Sequence, residues 1–283
     1  MLSPDTLAGR RILVTGGGTG LGRSMGRRFI ELGASLTICG RRAEVLEAMA
    51  KECRADYGAE VATETCDIRD AAAVEAMMDR IWQRGPLDVL VNNAAGNFLA
   101  QTHRLSPRAV DAVLDIVLHG SAYCTIACGR RWIDAGRGGT VLSILTLSAL
   151  HGAPFTVPSA MAKAGVLAMT RSLAVEWGPK GIRLNAIAPG NFPTPDATAR
   201  LQPAGAFRAP AERGIPLRRV GEHRELADLA AFLVSDMAAY ITGEVVVIDG
   251  GKRWLGGARS GGEEMLDWTD ADWAALRANR PQA

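Results

Sequence analysis

The chain has 283 residues, 48% hydrophobic and 22% charged, which is enough apolar side chain for a substantial core and argues against a disordered polypeptide. Thirty-two Lys and Arg against 30 Asp and Glu leave a formal charge of +2, too balanced to point to nucleic acid as a partner. Five cysteines without a CxxC pair, an N-terminus MLSPDTLAGRR without an apolar signal region, and no run of 18 apolar residues predict reduced thiols, no metal site, no membrane partner and a cytoplasmic location.

Short β-rich runs alternate with helical spacing along the chain. Ile12–Thr15 reads as the first strand, followed by a glycine-rich turn and a helix over Leu21–Leu32. Strands are then expected at Ser35–Cys39, Val61–Thr65, Val89–Val91, Thr140–Leu145, Arg183–Ile187 and Glu244–Ile248. Helices are expected at Ala43–Arg54, Ala72–Arg84 and Ser159–Trp177. Strands that alternate with longer helices imply βαβ crossovers, and runs that are apolar on both parities imply a sheet covered on both faces. The expected fold class is therefore α/β, with a seven-stranded parallel sheet. No linker or repeat interrupts the pattern, so residues 1–283 are read as a single domain. Within it, residues 189–216, rich in Pro, Ala and Gly, form a candidate lid over a site, and residues 252–283 a C-terminal extension. In that tail Thr269 with Asp272 predicts a capping box, and Trp268 a staple to Trp273.

The turn reads Thr15-Gly16-Gly17-Gly18-Thr19-Gly20-Leu21-Gly22. Its glycines allow positive φ and close backbone approach, and the helix that follows offers free N–H groups to a phosphate. The G-x-G-x-x-G fingerprint is absent in every register. A P-loop is spoiled by Arg23 in the place of its lysine. What remains, T-G-x3-G-x-G, resembles the short-chain dehydrogenase/reductase family. Asp67 after the third strand, Asn92-Asn93-Ala94-Ala95-Gly96 after the fourth and Pro189-Gly190 after the sixth resemble the family's companion motifs, so the likeness runs from about Gly9 to Gly251. The resemblance implies a doubly wound, three-layer Rossmann fold. It assigns a dinucleotide to Gly16, Gly18, Thr19, Gly20 and Leu21, with Asp67 and Ile68 at the adenine. Asn93, Ala94, Ala95, Lys163, Pro189, Gly190, Phe192 and Thr194 complete that site. Residues 34–43 contain no Asp or Glu to hold a ribose 2′-OH, whereas Gly40 leaves room for a 2′-phosphate and Arg41 can pair with it; the expected cofactor is NADP(H).

The family's usual Tyr-x-x-x-Lys is here Ser159-Ala160-Met161-Ala162-Lys163, with Thr146 at the usual Ser position. None of Tyr57, Tyr123 and Tyr240 can replace the phenol by sequence position, and a serine is too weak an acid to protonate an alkoxide in ordinary ketone reduction. The branch with Ser-x-x-x-Lys is that of the 2,4-dienoyl-CoA reductases. The segments around Asn97-Phe98, Arg104-Leu105-Ser106-Pro107 and Val157 to Gly178 resemble it further. The resemblance implies catalysis by Asn97, Ser148, Ser159 and Lys163, substrate contacts from Phe98, Ser106 and Arg200, an acyl-CoA substrate, a part in fatty-acid degradation and a homotetramer. Arg69 is a weaker candidate for the phosphates of coenzyme A. Ser148 stands where the mitochondrial-type enzymes of that branch carry a catalytic Tyr, 15 residues before the Lys, and His119 where the pattern has Asn, so the second donor to the substrate oxygen lies between Ser148, His119 and water. A reductase of another activated enone or carbonyl, and an NADP(H)-binding protein without turnover, are the alternative readings.

Overall fold

The computed structural model describes residues 2–201, 212–255 and 262–278. In chain order the elements are β1 (Arg11–Thr15), α1 (Gly20–Glu31), β2 (Ser35–Gly40), α2 (Ala43–Tyr57), β3 (Val61–Thr65), α3 (Ala71–Gln83) and β4 (Val89–Asn92). Then come α4 (Pro107–Leu114), a π-helical turn (Asp115–His119), α5 (Gly120–Asp134), β5 (Gly139–Ile144), α6 (Ser148–His151), α7 (Val157–Trp177) and β6 (Ile182–Pro189). The chain continues through α8 (Pro195–Leu201), α9 (His223–Val234), β7 (Val245–Ile248), α10 (Lys252–Leu255), α11 (Gly262–Met265) and α12 (Asp270–Ala278).

The seven strands form one all-parallel sheet in the order β3-β2-β1-β4-β5-β6-β7. Alternate residues of a strand face opposite ways, and both faces are dry. Ile12 and Val14 of β1 pack with α1, α2 and α9, through Met25, Phe29, Leu46, Met49 and Leu226. Leu13 of the same strand joins the opposite cluster with α3, α5 and the end of α7, through Val74, Met77, Trp132 and Trp177. This is the doubly wound, three-layer architecture that the sequence pattern predicts.

The continuous helical run Pro107–Asp134 is long and apolar enough, by length and composition, to cross a membrane. Half of its most apolar stretch is buried inside the molecule, with Cys124, Ala127, Cys128 and Trp132 inside the core, which is how an interior helix satisfies the same pattern. In the tail, the capping box forms as expected. Thr269 N–H and Oγ1–H both donate to Asp272 Oδ2 at 2.7 Å, and the Trp268 and Trp273 rings meet edge to face at 4.8 Å.

Candidate active site

In a parallel sheet all strand carboxyl ends lie at one edge, and here the winding direction reverses between β1 and β4, the place where such folds bind ligands. A cleft of about 720 Å³ opens at that edge. The turn after β1 forms its floor. Gly16 and Gly20 adopt φ of +65° and +53°, values that a Cβ disfavours. A Cβ on Gly22 would lie 2.4 Å from both Asn93 Nδ2 and the Gly16 carbonyl oxygen. Thr19 stands at the start of α1 in an extended conformation and makes no side-chain cap, and the first turn carries no acidic residue. The helix therefore presents its unsatisfied N–H groups without an internal anion, and Gly18, Thr19, Gly20 and Leu21 line the cleft there. The turn is braced from β4. Thr15 Oγ1 accepts from the N–H groups of Asn93 and Ala94, both at 3.0 Å, and Asn93 Nδ2 donates back to the carbonyls of Thr15 and Gly16. Sequence reading placed Asn93 at the ligand but gave Thr15 no task. The signal was a polar residue ending an otherwise apolar strand.

At one end of the cleft lie Gly40, Arg41, Arg42, Asp67 and Ile68. Arg41 and Arg42 are exposed, form no ion pair with any described residue and have no carboxylate from the β2–α2 junction beside them. Asp67 is held by Arg69. The guanidinium forks onto both carboxylate oxygens at 2.6–3.0 Å, and the Arg69 N–H adds a bond at 3.1 Å. These bonds, with the charge of Arg41 beyond them, keep the Asp67 carboxyl below its usual range. Cys39 and Cys66 also line the cleft; burial pushes the Cys66 thiol up to about 11, so it stays protonated and unreactive at neutral pH. All five cysteines are buried thiols, and among the described residues no group of His, Cys, Asp and Glu could hold a metal ion.

The other end gathers Asn97, Thr146, Ser159 and Lys163, with Pro189, Gly190, Phe192 and Thr194 across from them. Ser159 and Lys163 lie one turn apart near the start of α7, both buried. The Lys163 ammonium donates to the carbonyl of Ile144 at the end of β5, and burial pushes its pKa down to about 8. Asn97 Oδ1 accepts from its neighbour Phe98 N–H at 2.9 Å. That bond orients the amide so that Nδ2 is left to donate, with no described partner. None of the three tyrosines lines the cleft. Tyr57 bonds Glu31, Tyr123 stacks on His119, and Tyr240 is fully exposed.

Four expected site residues do not line this cleft. Ser148 does not line the cleft; its hydroxyl bonds that of Thr146, which does. His119 is not among the residues that line the cleft; its Nδ1 lies 3.0 Å from Asp115 Oδ1 and its ring stacks on Tyr123. Ser106 caps α4, accepting from the Ala109 N–H at 3.2 Å. Phe98 packs on Val113, Val117 and Ala162 beneath the loop that carries Asn97. Arg200 belongs to α8, but its side chain lies outside the described residues.

Comparison with known proteins agrees with this geometry. A family model described as enoyl-(acyl carrier protein) reductase matches residues 16–253. A probable 2,4-dienoyl-CoA reductase of Bacillus subtilis is 42% identical over 248 residues, covering 87% of this chain and 97% of its own. An uncharacterized oxidoreductase of Caenorhabditis elegans is 43% identical over 277 residues, covering 96% and 88%. Among solved structures, a gluconate 5-dehydrogenase from Burkholderia cenocepacia, in complex with NADP and tartrate, superimposes with a TM-score of 0.83 at 30% identity, covering 89% of this chain and 98% of its own.

Proposed function

The chain belongs to the short-chain dehydrogenase/reductase family and is an oxidoreductase, and we propose that it reduces 2,4-dienoyl-CoA thioesters with NADPH. The observation that carries this reading is the composition of the chemical end of the cleft. Hydrogen-bond donors from Asn97, Thr146 and Ser159 meet there beside Lys163, and no phenol is present to serve as acid. Such a site suits a reaction in which negative charge collects on an oxygen and is stabilised there, without proton transfer to that oxygen. Relatives named 2,4-dienoyl-CoA reductase, from Bacillus subtilis and as a peroxisomal enzyme from Danio rerio at 35% identity, support the same substrate class.

When bound, NADPH supplies a hydride to the far end of the conjugated diene, and the electron pair displaced along the chain collects on the thioester oxygen as a dienolate. Asn97 Nδ2 donates to that oxygen. Thr146 is the second donor, since it lines the cleft and Ser148, hydrogen-bonded to it, does not. Ser159 completes the hydrogen-bond network, and solvent returns a proton to carbon. Lys163, anchored on Ile144, holds the nicotinamide ribose. Arg41 meets the 2′-phosphate with a charge-assisted bond, in a place where NAD-binding sites carry an acid. A homotetramer acting in the cytoplasm on intermediates of unsaturated fatty-acid degradation completes the proposal.

The test is direct. Purified protein mixed with NADPH and 2,4-hexadienoyl-CoA should bleach the dienoyl absorbance in step with NADPH oxidation. NADPH consumed only with other enones, or with none, would reject the assignment.

A further inference from the structure

We propose that His223 is a positioning residue for the cofactor: it straps the segment carrying Phe192 and Thr194 to the helix that rises from the glycine-rich turn. This rests on the assignment of the cleft to a nicotinamide dinucleotide, with its phosphates at that turn, and not on the acyl substrate. His223 is the first residue of α9, and its half-buried ring bridges two distant segments. Nδ1 lies 2.8 Å from Ser24 Oγ on α1, and Nε2 lies 2.9 Å from the carbonyl oxygen of Pro193. A carbonyl only accepts, so Nε2 carries a hydrogen and donates it. A hydroxyl can donate to Nδ1 or accept from it, so the bridge holds whether the ring is neutral or charged. Ser24 Oγ also lies 3.1 Å from the carbonyl oxygen of Gly20, where the turn becomes helix.

The base of the strap is rigid. Glu222 and Glu225 close a capping box at the start of α9, and Arg219 grips Glu225 through two bonds of 2.6 and 2.8 Å. Leu226 of α9 packs in one core cluster with Met25 and Phe29 of α1. Residues 191–194, by contrast, leave the end of β6 outside any helix or strand and are laid along residues 221–223. The Gly221 N–H donates to the Asn191 carbonyl at 2.9 Å. The Phe192 ring lies so close to Gly221 that a Cβ there would come within 2.3 Å of it. Pro193 has no N–H, so its carbonyl is the group by which the backbone can be held, and His223 holds it. Phe192 and Thr194, on either side, both line the cleft, in company with Ser159 and Lys163. Thr194 also covers the turn, since a Cβ on Gly20 would lie 3.3 Å from its methyl group. His223 does not line the cleft itself and acts through these neighbours. A segment already held in place spares the ligand the entropy of ordering it.

Calorimetry on the ligand-free full chain tests this by comparing NADPH with 2′-phospho-ADP-ribose, which lacks the nicotinamide. His223→Ala should raise the NADPH dissociation constant about fivefold, the net contribution of one hydrogen bond, and change that of 2′-phospho-ADP-ribose less than about twofold. Ser24→Ala removes the far end of the strap while leaving α9 intact, and should act in the same direction. The double variant should bind NADPH no more weakly than His223→Ala, because both changes cut one connection. Equal weakening of the two ligands, or additive effects of the two substitutions, would mean a general loss of structure and overturn the strap. So would an NADPH affinity that His223→Ala leaves unchanged. If His223→Ala does not fold, Ser24→Ala decides alone by the same ratio. A native protein that prefers NADH is tested with NADH and ADP-ribose, and the same outcomes apply. Because the readout is binding, failure of the dienoyl-CoA reading shows separately, as absent bleaching with this binding pattern intact.

Discussion

Lys163 is a buried cation whose partner is a carbonyl and not a carboxylate, and this makes its charge sensitive to pH. Its folded pKa of about 8 lies below that of an unfolded lysine. Between these values the unfolded chain binds more protons, so stability rises with pH there and is insensitive to this group below about pH 7. Relative to Lys163→Met, the ligand-free native protein should gain about 2 kcal/mol between pH 7 and 9.5, measured by urea unfolding at both pH values. The variant comparison matters because burial raises the thiols of Cys39, Cys124 and Cys128, which act with the opposite sign. Asn97 offers a different test. Its free Nδ2 should matter only as charge develops, so Asn97→Ala should lower kcat about a hundredfold while leaving the cofactor dissociation constant unchanged. Thr146→Val should cost more in kcat than Ser148→Ala, because Thr146 lines the cleft and Ser148 does not.

Among the elements, the contact between the β1 and β4 turns holds the site together. Thr15 is 1% exposed and accepts two backbone N–H groups. Thr15→Val, nearly the same in shape, strands both donors and should destabilise the protein by about 2 kcal/mol in chemical unfolding, while weakening cofactor binding. Strand positions were legible in the sequence to within a residue or two, because strands buried on both faces must be apolar along their whole length. Helix ends were less so. α2 runs on to Tyr57 and stops where Gly58 adopts φ of +64°, a signal present in the sequence but outweighed by the fading apolar spacing. The π-helical turn Asp115–His119 has no marker of its own. It arises within a longer run, and a sequence periodicity cannot register one extra residue in a turn.

For the molecule as a whole, a near-zero net charge is compatible with a polyphosphate ligand because the relevant cations are few and placed. NADPH at a hundred times its dissociation constant should stabilise the fold by about 2.7 kcal/mol. It should raise the melting temperature more than NADH at equal concentration, and Arg41→Ala should remove that difference, weakening NADPH binding about tenfold and NADH binding little. The parallel α/β architecture, the glycine-rich turn after β1 and the presence of Ser159 in place of the phenol were determined by the sequence alone. Each depends on local periodicity or on residue types at fixed spacing, and such spacing survives in one dimension. That Thr146 lines the cleft and Ser148 does not, that His119 pairs with Asp115, and that Arg69 grips Asp67 were decided only by the tertiary structure. Those outcomes depend on side-chain direction and on partners brought together from distant segments. A change of rotamer exchanges one donor for another without altering a single letter of the chain.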